Sequence, residues 1–384
     1  MPKILSKRVS NYELFFDLAV VLAIGQLTSA IHISHIGGME IFAFIMANII
    51  LFNVWINEVF YFNKYGDSRL HDIYTIIVLM FVIGNIALNF DVDFDHFYAG
   101  SSVVRIFNLL LMAAYAIIAL QYFLKGRKLG FSQDIKLSMW TQIIFALAPA
   151  GFALGLIPVN LWTMGLYLIP NLLPLLAQRY FDHRSVNFPH AVERLQLVTI
   201  LTFGETVIGI IKTYPLSDSL FLGALFFFGM ATLFIFYMGQ TFLNLNHHQE
   251  TASTALFYAH LLIFIGVNVF TVGTEFLADH HHADLGFILF FCGIISFYAG
   301  VLATSPYNQD IYRLTKKAWL QYGLTLALAL GLMLFFRHQQ LVLALILIVL
   351  NRLMMQFSIK NRRRARERYQ IPHPDPNQNI RDFS

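Results

Sequence analysis

Glu205 sits badly with its neighbours, near the middle of an apolar stretch at 195–212. At 100° per residue Thr199, Thr202, Thr206 and Gly209 share its stripe, which makes that face small and hydroxylated. Such a face packs on other helices, with Gln26 or polar residues of the second, third or ninth stretch as expected neighbours. A buried acid with no Lys or Arg at its depth is a candidate for reversible proton binding. His260, Asn268, Thr271 and Glu275 share one face of 254–277, which reads as a polar path or as interhelical hydrogen bonding. Asn53 and Asn57 lie one turn apart on 40–62, and His71, Tyr74, Asn85 and Asn89 share a stripe on 73–90 and its approach. Amide hydrogen bonds between helices account for these, and Asn53 is kept beside Glu205, His260, Thr202, Gln26 and Asn268 as a binding or proton-coupling candidate.

A second constellation lies at helix entrances. Glu13 and Asp17 are four apart, hence on one face, where they either cap the helix N-terminus or pair with a cation. Glu193 and Arg194 occupy the corresponding entrance of the seventh stretch. Together Glu13, Asp17, Glu193 and Arg194 read as an ion-pair gate.

Other chemistry finds little foothold. The single cysteine, Cys292, excludes an intramolecular disulfide and a CxxC pair. The run His280, His281, His282 with Asp279 and Asp284, and the pair His247 and His248, read as solvated loop histidines, since adjacent histidines rarely all ligate one ion. No metal or cofactor is expected. A phosphate loop, a nucleophile elbow and an HExxH motif are all missing from the sequence, so an enzyme is not the expected class.

The elements that must position these residues follow from composition. The chain is 57% hydrophobic and only 12% charged, against roughly 25% charged in soluble domains. Mean hydropathy is +0.62. Both a soluble globule and a disordered chain are excluded. Spanning helices need about 20 apolar residues, and about twelve such stretches emerge: 13–33, 40–62, 73–90, 103–124, 137–157, 161–177, 195–212, 220–243, 254–277, 286–304, 318–336 and 341–359. The fifth and sixth are interrupted by Pro149, Pro158, Pro170 and Pro174, so eleven is the other count. The fold class is an all-α polytopic membrane protein.

Lys and Arg set an expected orientation. Lys3, Lys7, Arg8, Lys64, Arg69, Lys125, Arg127, Lys128, Lys136, Arg179, Arg184, Arg194, Arg313, Lys316 and Lys317 fall on one side; the other has only Arg105, Lys212 and Arg337, with acid and histidine in its loops (Asp91, Asp93, Asp95, Asp279, His280, His281, His282). Both termini are therefore expected inside, in a multi-pass protein of the inner (cytoplasmic) membrane. The basic segment 360–384 is expected to be a disordered cytoplasmic tail attracted to anionic headgroups. Membrane lipids and an unknown small molecule or ion are the expected partners; nucleic acid is not, for want of aromatic interleaving or a fold module.

Short echoes suggest duplication. The segment 23–27 (AIGQL) resembles 202–206 (TFGET), 81–85 (FVIGN) resembles 264–268 (FIGVN), and Tyr115-Ala116 resembles Tyr298-Ala299. They keep helix order, as two parallel six-helix repeats would. The expected organisation is a first half at 1–182 and a second at 183–359.

The stretch 12–27 (YELFFDLAVVLAIGQL) resembles the opening signature of the bacterial low temperature requirement A (LtrA) family. The stretch 193–207 (ERLQLVTILTFGETV) resembles its second signature, and Tyr258-Ala259-His260 a third element. The chain departs from the family pattern at Leu195-Gln196, where Phe-Gly is usual, and at Leu262, where Pro is usual. The resemblance implies an integral membrane protein associated with growth in the cold, and it selects Glu13, Asp17, Glu193, Arg194, Glu205 and His260. Three functions compete: a secondary transporter with a proton-coupled polar path between two halves, a membrane-embedded lipid-handling enzyme, and a non-catalytic structural or sensory protein.

Overall fold

Ser10 opens the first helix. Its hydroxyl accepts from the backbone N–H of Glu13 at 3.3 Å, and the Glu13 carboxylate accepts from the backbone N–H of Ser10 at 2.9 Å. The helix α1 (Asn11–Ala30) is followed by α2 (Gly38–Lys64), α3 (Leu70–Leu88), α4 (Ser102–Leu129) and α5 (Gln133–Ala153). After α6 (Leu161–Leu176) come α7 (Phe188–Thr213), α8 (Leu220–Thr241), α9 (Thr254–Ala278), α10 (Ala283–Ala303), α11 (Lys316–Phe335) and α12 (Gln340–Arg368). The computed structural model describes residues 7–33, 35–67, 69–90, 102–183, 185–215, 217 and 219–372. Asp91, Asp93, Asp95 and the chain beyond Pro372 lie outside them.

Among the described residues eleven helices are long and apolar enough to cross a membrane, and α6 is not. It is broken into Leu161–Met164, a 3-10 turn over Gly165–Leu168, and Ile169–Leu176. Pro170 and Pro174 withhold amide protons there, and each ring crowds the preceding turn. The chain still returns to the end of the bundle from which α5 starts, because the backbone N–H of Asp182 donates to Asp134 Oδ1 at 2.8 Å. The expected tail also needs correction. Residues up to Arg368 continue α12 as helix, with Arg363 four residues before Glu367 at 3.2 Å and Arg362 Nη1 donating to the carbonyl of Gly239 at 3.2 Å. Arg, Ala and Glu are good helix formers, and an apolar span already nucleated carries the helix through them.

Two clusters of apolar side chains fill the bundle. One lies chiefly among α1, α2, α3, α4 and the start of α7; the other among α7, α8, α9, α10 and α12. α9 is the most buried span and α11 the least. Large apolar residues on the periphery, such as Leu22, Phe81, Leu328 and Phe335, face outward, as lipid permits.

The α9 and α10 pair packs backbone against backbone. Gly266 and Gly273 on α9 and Gly286, Gly293 and Gly300 on α10, each series spaced by seven, face the backbone of the partner helix, with Gly266 and Gly293 meeting each other. A β-carbon at Gly266 would stand 2.5 Å from Phe297 N, and one at Gly293 2.5 Å from Phe270 N. Small residues permit this closeness, which is how helices gain packing where lipid offers no hydrophobic drive.

Candidate functional site

Several polar assemblies interrupt the apolar bundle. The first joins α1, α2 and α7. Arg194 Nε donates to Asp17 Oδ2 at 3.0 Å and Nη2 to Asp17 Oδ1 at 2.6 Å, while Nη1 donates to Glu13 Oε1 at 2.7 Å. Trp55 Nε1 donates to Asp17 Oδ1 at 2.6 Å, and its ring lies 5.9 Å from the guanidinium carbon. His190 Nε2 stands 3.0 Å from Glu13 Oε1. Asn63 fixes the tautomer: its Oδ1 accepts from the backbone N–H of Asn187, so its Nδ2 donates to the Asn187 carbonyl and to His190 Nδ1. The remaining proton of a neutral His190 is then on Nε2, facing Glu13. Glu13, Asp17, Arg194 and His190 are all buried.

Glu193 does not join this cluster. It lies on the exposed face of α7, because a step of one residue turns it about 100° from Arg194. His190 takes its place. The signal was available, since His190 precedes Arg194 by four residues and so shares its face.

The second assembly is an open cavity of about 330 Å³ at the opposite end of the bundle, lined by Thr28, Ser29 and His32 of α1 and its C-terminal turn, Glu205 and Lys212 of α7, and Glu275 of α9. Glu205 is half-buried. Its carboxylate lies over the bare backbone of Gly25: a β-carbon there would be 2.7 Å from Oε1. Glu275 Oε2 stands 3.2 Å from His32 Nε2. Gln26 is not the neighbour expected for Glu205, because it lies on the exposed face of α1 while Gly25 turns inward.

The third is a narrow cavity of about 90 Å³ at the basic end, bordered by α2, α5, the broken α6, the connector before α7 and the first turns of α9. Asn53, Asn57 and Gln142 line it. Asn57 and Gln142 are joined at 2.6 Å, Asn57 and Asn53 at 2.9 Å, and Asn53 and Asn171 at 3.2 Å. Tyr115 OH also donates to Asn53 Oδ1, at 3.0 Å.

The remaining candidates are satisfied side chains. His260 bonds the carbonyl of Leu256 through Nδ1 at 2.9 Å and Tyr237 OH through Nε2 at 3.2 Å. Asn268 donates to Asn48 Oδ1 at 2.7 Å, and Thr202 to the carbonyl of Val198 at 2.8 Å. From His260 to Thr271 the face of α9 is therefore stitched to α8, α2 and α7, and only at Glu275 does it reach the open cavity. Near the basic ends of α2 and α4, Lys125 is buried between Asp67 (3.3 Å) and Asp72 (3.5 Å). Asp67, His71 and Asp72 bring ligand atoms within 4.8 Å of one another, but Lys125 and Tyr61 already engage these carboxylates, which makes the group an ion-pair cluster. Glu58, fully buried and accepting from Gln121 at 2.8 Å, was not singled out from the sequence. It follows Asn57 directly in the stretch 40–62, so its charge stood in plain view, and only the approach of α4 reveals its partner.

Comparison with known proteins gives one family. The model for the bacterial low temperature requirement A protein (LtrA) matches residues 8–354, a span that includes all three assemblies. No curated protein matches the chain. With nearly the whole helical bundle inside that match, the chain belongs to the LtrA family of membrane proteins.

Proposed function

We propose that this protein is a transporter-like protein of the inner (cytoplasmic) membrane, with both termini inside and a proton-coupled step at Glu205. The observation that carries the reading is the pair of separate cavities, one at each end of the bundle, both touched by α9 and the inner one bordered by a broken helix. Transporters place substrate beside discontinuous helices, and alternating access needs an opening on each side that is closed to the other. The excess of Lys and Arg at the end holding Lys64, Lys125 and Arg313 supports the orientation.

The Glu13, Asp17 and Arg194 cluster suits a fixed pivot better than a moving gate. Breaking a buried ion pair by separating its partners leaves uncompensated charge, a cost of about 3–5 kcal/mol that a working cycle would meet at each turnover. Glu205 has what a coupling acid needs: a wet cavity, a cation in Lys212 on the same helix, and a second acid in Glu275. The sequence echoes, in helix order, support two related halves, 1–182 and 183–359. The link to growth in the cold that the family description carries would then be a matter of what is moved.

The test is uptake into vesicles reconstituted with purified protein, screened over amino acids, sugars and ions under an imposed pH gradient. Glu205→Gln keeps size and hydrogen bonding, so it should fold and insert normally while gradient-driven flux disappears. Normal flux in that variant would reject proton coupling at Glu205.

A further inference from the structure

The outward stripe of α12 changes character part-way across the membrane. At 100° per residue Leu345, Val349, Arg352, Gln356, Lys360 and Arg363 fall within an arc of about 80°, and all six are exposed. The first two suit acyl chains and the last four do not. From Gln340 to Lys360 the helix rises about 30 Å, the thickness of the hydrocarbon core, so these two residues mark its boundaries. Arg352, eight residues short of Lys360, then lies about 12 Å inside the boundary at the basic end. A guanidinium facing lipid at that depth is costly unless an anion meets it. Among the described residues no acid pairs with Arg352, Lys360 or Arg364.

The helix cannot turn to hide this face. Asn351, fully buried, donates to the carbonyl of Gly229 at 2.9 Å, which directs the next residue, Arg352, outward. Further along, Arg362 Nη1 donates to the carbonyl of Gly239 at 3.2 Å and Arg366 Nη1 to Tyr312 OH at 3.4 Å, so the extension is fastened to the bundle. What remains outside is an open groove of about 490 Å³, lined by Arg352, Gln356, Lys360, Arg363, Arg364 and Glu367. Glu367 is engaged by Arg363 at 3.2 Å. Four cations against one acid leave the groove with three positive charges.

We infer that this groove binds an anionic glycerophospholipid, its phosphate drawn inward between Arg352 and Lys360 with Gln356 as a further donor, and its acyl chains lying along Val349 and Leu345. Depth selects the source. A phosphate dissolved in water does not enter the acyl layer, whereas a lipid phosphate is held beside the groove by its own chains. A zwitterionic lipid fits less well, because its ammonium would enter the same positive field. Arg352 separates this site from the general attraction of a basic surface to a membrane, since that attraction acts only at the headgroups. The groove shares no lining residue with either cavity and does not depend on the transport reading.

The test uses native mass spectrometry of the full chain, stripped of lipid in detergent and titrated with phosphatidylglycerol or with phosphatidylcholine of the same acyl chains. Phosphatidylglycerol should be retained at least about tenfold more tightly, and inorganic phosphate in excess should not displace it. Arg352→Leu should weaken that retention about fivefold, the attraction that one Lys or Arg contributes at an anionic surface, while melting no lower than the parent. Lys360→Gln gives a second reading if Arg352→Leu does not fold. The comparison that separates a site from a charged surface is Lys316→Gln with Lys317→Gln, on exposed residues at the basic start of α11, which should leave retention within about twofold of the parent. Equal retention of the two lipids, displacement by inorganic phosphate, or a loss in the α11 variant as large as in Arg352→Leu would overturn the assignment. A changed oligomeric state of Arg352→Leu with phosphatidylglycerol retention intact would also overturn it, and would give the face to a second copy of the chain.

Discussion

Arg194 grips Asp17 with two parallel hydrogen bonds, Nε to Oδ2 at 3.0 Å and Nη2 to Oδ1 at 2.6 Å, and so ties the start of α7 to α1 across 177 residues of chain. A planar guanidinium matches a carboxylate in this way and an ammonium does not. The third arm reaches Glu13, which also caps α1. One cation thus fixes the angle and register of two helices whose apolar faces alone would allow sliding.

Arg194→Met should therefore lower unfolding stability in detergent by about 3–5 kcal/mol, since Glu13 and Asp17 would remain buried without their cation. Arg194→Lys should recover less than half of that loss, because a point charge cannot serve both oxygens of Asp17 and Glu13 together. Stability of the lysine variant equal to the parent would show that charge alone, and not the fork, holds the junction.

Gly273 faces the backbone of Phe290 within clash distance of a β-carbon. Backbone cannot rotate out of the way, so Gly273→Val should separate α9 from α10 and cost about 3 kcal/mol or prevent folding. Gly84→Ala, where a β-carbon meets nothing, should be neutral or slightly stabilising. Thermal unfolding of the two variants side by side decides it.

Gly25 presents a different case. A β-carbon there would meet the far end of the Glu205 side chain, which can swing away. Gly25→Ala should change stability by less than about 1 kcal/mol while pushing the carboxyl toward the cavity. Labelling of Glu205 by a water-soluble carbodiimide should then speed up. An unchanged labelling rate would mean that Gly25 does not set the position of the carboxyl.

Asp67, in the connection between α2 and α3, contributes to the acid sensitivity of the fold. Burial opposes its ionisation, but the hydrogen bond with Asp72 and the charges of Lys125 and Lys128 hold its carboxyl below the usual carboxylate range. A carboxyl depressed in the folded state stabilises above its unfolded value, about 4, and loses that contribution as pH falls through the folded value. Asp67→Asn should flatten the decline in melting temperature below about pH 4. At neutral pH it should cost about 1 kcal/mol or less, because the site is largely solvent-screened. An acid limb of unchanged steepness would assign the decline to other carboxyls.

The membrane class, the succession of helices and the family were legible in the order of residues. Those depend on the length and composition of local segments, and lipid punishes every exception. The sequence also indicated that Glu13 and Asp17 need a cation, and it offered Arg194, since acids four apart on an apolar helix leave few solutions. The tertiary structure alone decided which polar residues meet. His190 replaced Glu193 because 100° of helix rotation separates the latter from Arg194. Gln26 turned outward and Gly25 inward for the same reason. Asn53, Asn57, Gln142 and Asn171 come from α2, α5 and the broken α6, and their chain of amides exists only once those helices pack. Hydrogen-bond direction is a property of that packing and leaves no trace in spacing or composition.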